Sequence, residues 1–161
     1  MKFNPAFLLL AAIVPVVTGS RNASYASFGV STACGLITRQ EAAAALGAPV
    51  PAGSEKIADF PLGQRSIKTK YCFFGTEVSI WRLELGPTAS TLFTQYRQSL
   101  VSKDDYQTIR GIGDGAFHAK GQIAVLKGQT GLIIDVGQAR GGGAKELNAE
   151  KGLALLAIGR M

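Results

Sequence analysis

Residues 122–136 read QIAVLKGQTGLIIDV, two apolar segments joined by a short turn that contains two glycines. Along the second segment Leu132, Ile134 and Val136 point to one face of a strand, and Asp135 points to the other. The intervening Gly-Gln-Thr-Gly has the composition of a hairpin turn. This stretch therefore predicts two antiparallel strands with a tight turn between them.

A second hairpin is indicated nearer the N-terminus. Residues 66–74 and 77–85 are rich in β-branched and aromatic side chains, and a Gly-Thr pair lies between them. In the second of these segments apolar side chains occur at both parities, with Ile80 on one and Trp81 on the other. Either both faces of the sheet are covered here, or a bulge switches the parity.

Shorter extended segments are predicted at residues 106–110 and 116–119, on either side of a glycine-rich loop. The region from residue 47 to residue 66 is rich in proline and glycine. It predicts an irregular connection with short extended pieces. Three consecutive glycines at residues 141–143 predict a mobile loop.

Three helices are predicted from their start signals and their apolar faces. Thr38 and Glu41 form a capping box for a short helix that ends at Gly47. A second helix begins at Thr88 or Ser90 and repeats its apolar residues every three or four positions. The apolar stripe of the final helix, over residues 144–161, comprises Leu147, Ala154, Ile158 and Met161.

The order of these elements is helix, two strands, helix, three or four strands, helix. Adjacent strands joined by tight turns imply an antiparallel sheet, and apolar-striped helices must lie on that sheet to bury their stripes. The sequence therefore predicts an α+β fold: a mainly antiparallel sheet of about five strands with two to three helices packed on it. We expect it to form a single domain over residues 34–161.

The first nineteen residues have the organisation of a secretory signal peptide. Lys2 provides a positive charge, and residues 6–17 form an apolar run that is too short to span a bilayer. Cleavage is expected first after Gly19 and second after Ala26, with residues 20–33 as a flexible leader. The alternative is an uncleaved N-terminal anchor, against which the polar residues that follow the apolar run argue.

Cys34 and Cys72 are the two cysteines of the chain. Two cysteines in an exported protein pair naturally, and their spacing is unlike that of a C-x-x-C redox pair, so a disulfide is expected. Cys34 lies too far beyond the apolar run to carry a lipid. We therefore expect a periplasmic or extracellular product, with no lipid anchor and no transmembrane segment after signal cleavage.

The chain is basic, and its cations suggest one candidate binding surface. Its formal net charge is +6, and loss of Lys2 with the signal peptide lowers this to +5. An exported basic protein meets anionic surfaces. The candidate anion-binding patch, on the two arms of the second hairpin, comprises Arg65, Lys68, Lys70 and Arg82. The alternative is a solvated strand face that discourages edge-to-edge aggregation.

Motifs for catalysis, metals or cofactors are not evident in the sequence. His118 is the sole histidine, and with both cysteines assigned to a disulfide a zinc site is not predicted. There is no G-x-S-x-G motif of a hydrolase. Residues 111–116, GIGDGA, lack the Lys-Ser/Thr and the following helix of a phosphate-binding loop, so they predict a turn. We therefore predict no catalytic residue, no cofactor, no metal and no nucleic-acid partner.

Two short motifs near the start of the domain carry a resemblance to known proteins. Residues 34–38 read CGLIT and residues 41–47 read EAAAALG, and this resembles the opening of small exported proteins of unknown function, best known as actinobacterial lipoproteins. Tyr71-Cys72, the GIGDGA stretch and an alanine-rich final helix follow in the same order. The resemblance implies an exported α+β domain with its two cysteines joined, and it implies no reaction. The lipobox cysteine of the lipoprotein members is missing here.

These observations favour a non-enzymatic envelope or secreted domain that binds a protein, a glycan or another ligand. The partner suggested by the charge is an envelope protein or an anionic surface. The alternatives are an envelope hydrolase with an unrecognised active site, and an inhibitor or immunity-type protein.

Overall fold

The computed structural model describes residues 32–62, 65–137 and 143–161. Seven strands form one antiparallel sheet in the order β1-β2-β3-β7-β6-β5-β4. The strands are β1 (Ser54–Leu62), β2 (Arg65–Phe74), β3 (Val78–Glu84), β4 (Gln107–Ile109), β5 (Gly115–Ala119), β6 (Gln122–Lys127) and β7 (Thr130–Asp135). The predicted signal peptide, the leader up to residue 31 and most of the triple glycine lie outside the described residues.

Three helices cover the two faces of this sheet. They are α1 (Arg39–Leu46), α2 (Ala89–Leu100) and α3 (Ala144–Ile158), and 3-10 turns occur at Ala33–Gly35 and Gly86–Thr88. The first 3-10 turn, α1 and α3 lie on one face of the sheet, whereas α2 lies on the other. No described helix is both long enough and apolar enough to cross a membrane.

The predicted α+β class and the antiparallel sheet are confirmed, and the sheet has two more strands than the expected five. The main difference is β1, which forms where an irregular, proline-rich connection was predicted. Pro61 is tolerated because β1 is an edge strand, paired on one side with β2 among the described strands. Its extended conformation is stabilised by nine residues of pairing with β2, which no local pattern within β1 indicates.

The mixed parity of β3 reflects a sheet that is buried on both faces. Ile80 contacts the core beneath α1 and α3, and Leu83 contacts the core beneath α2. β3 pairs without interruption with β7 over six residues, so the first of the two alternatives, coverage of both faces, is the correct one. β3 and β7 therefore carry apolar side chains in both directions, as strands buried on both faces do.

The Cys34–Cys72 disulfide is present, and it fastens the first 3-10 turn to β2. Cys72 is fully buried in the core on this face of the sheet. The predicted capping box of α1 is confirmed: the Glu41 amide donates to the Thr38 hydroxyl, and the Thr38 amide donates to the Glu41 carboxylate. Arg160, just beyond α3, holds the same carboxylate through two hydrogen bonds of 2.6 and 2.7 Å.

The buried side of α3 differs from its predicted apolar stripe. Ala154 is buried as expected, but Leu147, Ile158 and Met161 are only partly buried. The residues of α3 that face inward are Glu146, Glu150, Leu153, Ala154 and Ala157. Leu155 and Leu156 are left exposed. The helix is therefore rotated so that two carboxylates, rather than an unbroken apolar stripe, meet the sheet.

The GIGDGA stretch forms the predicted turn and supports the hairpin of β6 and β7. The Asp114 carboxylate accepts a hydrogen bond of 2.6 Å from the Gly128 amide, at the tip of that hairpin. Gly113 has a φ of +59°, and a Cβ there would overlap the carbonyl oxygen of Leu126. Glycine is required at this position for two reasons: the left-handed backbone and the close approach of β6.

Candidate functional site

The register of the first three strands brings part of the predicted cationic patch together. Lys70 of β2 lies opposite Ile57 of β1 on one side and opposite Arg82 of β3 on the other. Lys68 is two residues along β2 and therefore points to the same face. These side chains surround an open hollow of about 360 Å³, next to the first 3-10 turn. We call it the Ile57 hollow, and its lining residues are Ala33, Ile57, Lys68, Thr69, Lys70, Arg82 and Glu84.

Arg65 does not belong to this surface, which corrects the predicted four-residue patch. It opens β2 at an odd number of residues from both Lys68 and Lys70, so strand alternation turns it to the opposite face. There it lines a separate hollow between the sheet and α2, beside Leu62 and Gln98. The period of two was already visible in the sequence, and it distinguished Arg65 from Lys68 and Lys70, whereas the face of Arg82 follows from its register with Lys70.

Carboxylates accompany the cations of the Ile57 hollow. The Arg82 Nε lies 2.8 Å from a Glu84 carboxylate oxygen, and the Lys70 Nζ lies 3.8 Å from a Glu55 carboxylate oxygen. Glu55 also accepts a hydrogen bond from the Ala33 amide. The hollow itself is lined by three cations and one carboxylate, so a positive excess remains within it. Net charge alone describes this surface poorly, because its positive groups alternate with negative ones.

The apolar member of the hollow is its most distinctive feature. Ile57 has 65% of its surface exposed, more than any other large hydrophobic residue in the described part of the chain. It lies on the edge strand β1, whose outer side has no partner among the described strands. An exposed isoleucine on this edge, beside the lysines of β2, offers apolar contact, cationic groups and backbone groups without a strand partner among the described residues.

A second cluster lies at the other end of the sheet, under α3. His118 of β5 points toward α3, where Glu146 and Glu150 are spaced four residues apart and so face the same way. The ligating atoms of these three side chains all lie within 4.8 Å of one another. The His118 Nε2 is 3.3 Å from a Glu150 carboxylate oxygen. We call these three residues the His118 cluster.

The surroundings of the cluster perturb its acid–base properties. Glu150 is fully buried, and this burial raises its pKa to about 7, against the opposing effect of His118. The Glu150 carboxylate in turn raises the pKa of His118, and partial burial of the ring opposes that change. Glu146 is 7% exposed. Two carboxyl groups are thus held in a low-dielectric site with a single imidazole between strand and helix.

Asp105 positions the histidine from the far side. Its backbone carbonyl lies 3.3 Å from the His118 Nδ1. Its carboxylate accepts a hydrogen bond from the Gly121 amide in the turn between β5 and β6. The amides of Lys120 and Gly121 hold the pKa of Asp105 below its ordinary value. The ring of His118 is therefore held between a backbone carbonyl and the Glu150 carboxylate.

An open hollow of about 490 Å³ leads from solvent to the edge of the His118 cluster. It is lined by Asp105, Gln107, His118, Gly143, Ala144, Leu147, Asn148 and Lys151. Of these three residues, the sequence drew attention to His118 alone, and no local pattern indicated Glu146 or Glu150. A Glu-x-x-x-Glu pair in a helix is usually solvated, and only the rotation of α3 against the sheet brings this pair to the histidine.

No family model, curated protein or solved structure matches this chain.

Proposed function

We propose that this chain is an exported, non-enzymatic binding domain that docks an extended segment of a partner protein at the Ile57 hollow. The segment carries both acidic and apolar side chains. The observation that carries this proposal is the exposure of Ile57, 65%, on the edge strand β1 beside Lys68 and Lys70 of the neighbouring strand.

The edge strand favours an extended partner over a compact ligand. β1 is nine residues long, and its outer backbone N–H and C=O groups have no strand partner among the described residues. A peptide can add to such an edge through main-chain hydrogen bonds, while its alternate side chains give specificity. The Ile57 hollow is open rather than enclosed, which suits a segment that lies across the surface.

The side chains around the edge define the chemistry of the segment. Its apolar side chains would cover Ile57, and its carboxylates would reach Lys68 and Lys70 on the next strand. Glu55 and Asp59 on β1 itself would repel a segment that is acidic throughout. Acidic residues separated by apolar ones therefore fit this surface better than a uniformly anionic polymer does.

The binding proposal is tested with a peptide of alternating valine and glutamate, monitored by amide chemical shifts in the labelled protein. We expect changes at Ile57, Lys70 and Arg82. A Lys68→Gln, Lys70→Gln double variant should bind about 1–2 kcal/mol more weakly, roughly a 5- to 30-fold loss, because exposed ion pairs contribute up to about 1 kcal/mol each. Raising the salt concentration should reduce the difference between the two proteins.

A Lys103→Gln, Lys127→Gln variant removes the same charge away from the hollow and is the matched control. Equal weakening by both variants would show that net charge, not this surface, attracts the peptide. A valine–lysine peptide should not bind. If anionic phospholipid vesicles shift the same amides and the peptide does not, the partner is a membrane surface and the protein-docking proposal is wrong.

Export is proposed on the signal-like N-terminus together with the disulfide, which forms and persists in oxidising compartments. The exported protein should have a mature N-terminus between Ser20 and Ser27 when its intact mass is measured. The signal peptidase would have removed Lys2 and the apolar run. An intact Met1 in the exported fraction, or a lipid on Cys34, would contradict this expectation.

A further inference from the structure

We propose that His118, Glu146 and Glu150 form a binding site for a divalent transition-metal ion, with Zn²⁺ as the reference ion. This site is independent of the Ile57 hollow, which lies on the β1–β3 half of the sheet. The three side chains supply one imidazole nitrogen and two carboxylate groups, which are common ligands of zinc and of similar first-row ions.

The buried carboxylate of Glu150 is the second observation that points to a ligand. Glu150 has no exposed surface, and neither of its carboxylate oxygens accepts a hydrogen bond of ordinary geometry from the described residues, although the Val136 amide and the His118 ring lie near the group. A buried polar atom without a partner is costly, and native proteins usually satisfy such atoms with protein, water or an ion. Oε2 of the same group lies against the His118 ring.

The charges of the cluster also favour a cation. Neither Glu146 nor Glu150 forms an ion pair with a lysine or arginine among the described residues. When both carboxyl groups are ionised, even a protonated His118 leaves one of them uncompensated. A divalent cation bound to a neutral imidazole and two carboxylates gives a neutral assembly, which removes the cost of burying an unpaired charge.

The geometry needs only a small closure around the ion. Zinc–nitrogen and zinc–oxygen bonds of about 2.0–2.2 Å place ligand atoms about 3.3 Å apart in a tetrahedron. The His118 Nε2 and a Glu150 oxygen are already 3.3 Å apart, and every pair in the cluster is within 4.8 Å. Glu146 is in the first turn of α3, and its carboxylate is the more exposed of the two. Rotation of the Glu146 side chain can therefore bring its carboxylate to the distance that a bound ion requires.

The arrangement is that of a three-ligand site with a further position toward solvent. The hollow beside Asp105 and Asn148 is lined by His118, though by neither glutamate, and so gives an ion a path to the imidazole side of the cluster with room for a water molecule. Asp105 acts as a positioning residue, because its backbone carbonyl orients the His118 ring from the Nδ1 side. Protein ligands of metals are commonly oriented in this way.

The test uses the exported protein, stripped of metal with a chelator and freed of any affinity tag. Because His118 is the only histidine in the chain, its ring gives one set of imidazole proton signals. We expect one equivalent of Zn²⁺ to shift these signals and to raise the thermal midpoint. One equivalent of Co²⁺ should produce the visible absorption of a four- or five-coordinate site.

Glu146→Gln is the informative variant, because Glu146 is closer to the surface than Glu150 and glutamine keeps its size. Substitution of a residue that only supports a metal ligand typically lowers metal affinity by roughly 10- to 100-fold. Because Glu146 is itself a proposed ligand, Glu146→Gln should lower the affinity for Zn²⁺ by more than this. Glu84→Gln, a carboxylate removed from the other end of the sheet, should bind as the parent does. The site does not exist if one equivalent of Zn²⁺ leaves the His118 signals unmoved, or if both variants bind equally.

Discussion

Removal of the disulfide should lower the free energy of unfolding by about 4 kcal/mol. The bond closes a loop between residues 38 positions apart, and the loss of chain entropy in the unfolded state predicts an effect of this size. Cys34→Ala, Cys72→Ala is the variant, and equilibrium unfolding in urea is the measurement. Because domains of this kind are stable by only about 5–15 kcal/mol, the expected change is a large fraction of the total.

The parent protein with its disulfide reduced is the matched control, since it keeps both sulfur atoms in the core. It should lose nearly the same stability as the alanine variant, because both lack the covalent link. The parent, denatured without reductant, should contain no titratable thiol. Two reactive thiols per chain, or a stability difference below about 1 kcal/mol, would contradict the expectation.

Phe117→Ala should destabilise the domain by about 3–5 kcal/mol, as truncation of a fully buried phenylalanine generally does. Phe117 is 1% exposed and connects α2 to the sheet. Its ring centroid lies 5.3 Å from that of Phe93 and 5.7 Å from that of Tyr96, both on α2. Tyr106 contacts it from a third side. Alanine would leave a cavity at the centre of this face.

Phe73→Ala is the control for the loss of a phenyl ring as such. Phe73 lies near the end of β2 and is only partly buried. Its truncation should therefore lower the free energy of unfolding by less than half as much as that of Phe117. Amide hydrogen exchange gives a second readout, because α2 should lose protection in the Phe117 variant and α1 should lose less. Equal losses of stability in the two variants would show that Phe117 does not organise the core beneath α2.

Because the sheet is buried on both faces, the domain has two separate hydrophobic cores. One core lies under α1 and α3 and includes the disulfide, and the other lies under α2 and is rich in aromatic rings. The central strands β3 and β7 belong to both cores. α2 covers β1 on one face only, through Phe60 and Leu62, and the Ile57 hollow occurs on the opposite face.

Local patterns were enough to predict most elements of the sheet. The glycine-rich turn after β6 and the alternation along β7 depend on neighbouring residues, so both are visible in the sequence. The capping box at Thr38 is equally local, and the cysteine count in a chain with a signal-like start predicted the disulfide. The turn, the alternation and the capping box each depend on a few neighbouring residues, and the disulfide depends on one pair of cysteines.

Contacts between distant segments decided the rest. β1 is a strand because it pairs with β2, although the prolines and glycines of residues 47–66, most of them outside β1, predict an irregular connection. Arg65 and Lys68 lie on opposite faces of β2, because they are an odd number of residues apart. The predicted patch grouped them although this spacing is visible in the sequence.

The burial of Glu146 and Glu150 is the clearest decision of the tertiary structure. In the sequence they are two of several polar residues in a helix, and the sequence pattern does not determine which face of that helix is buried. The packing of α3 against β6 and β7 selects one of those faces, and that face brings both carboxylates to His118. Helical spacing determines which residues point in the same direction, but only packing determines whether that direction is toward water or toward the sheet.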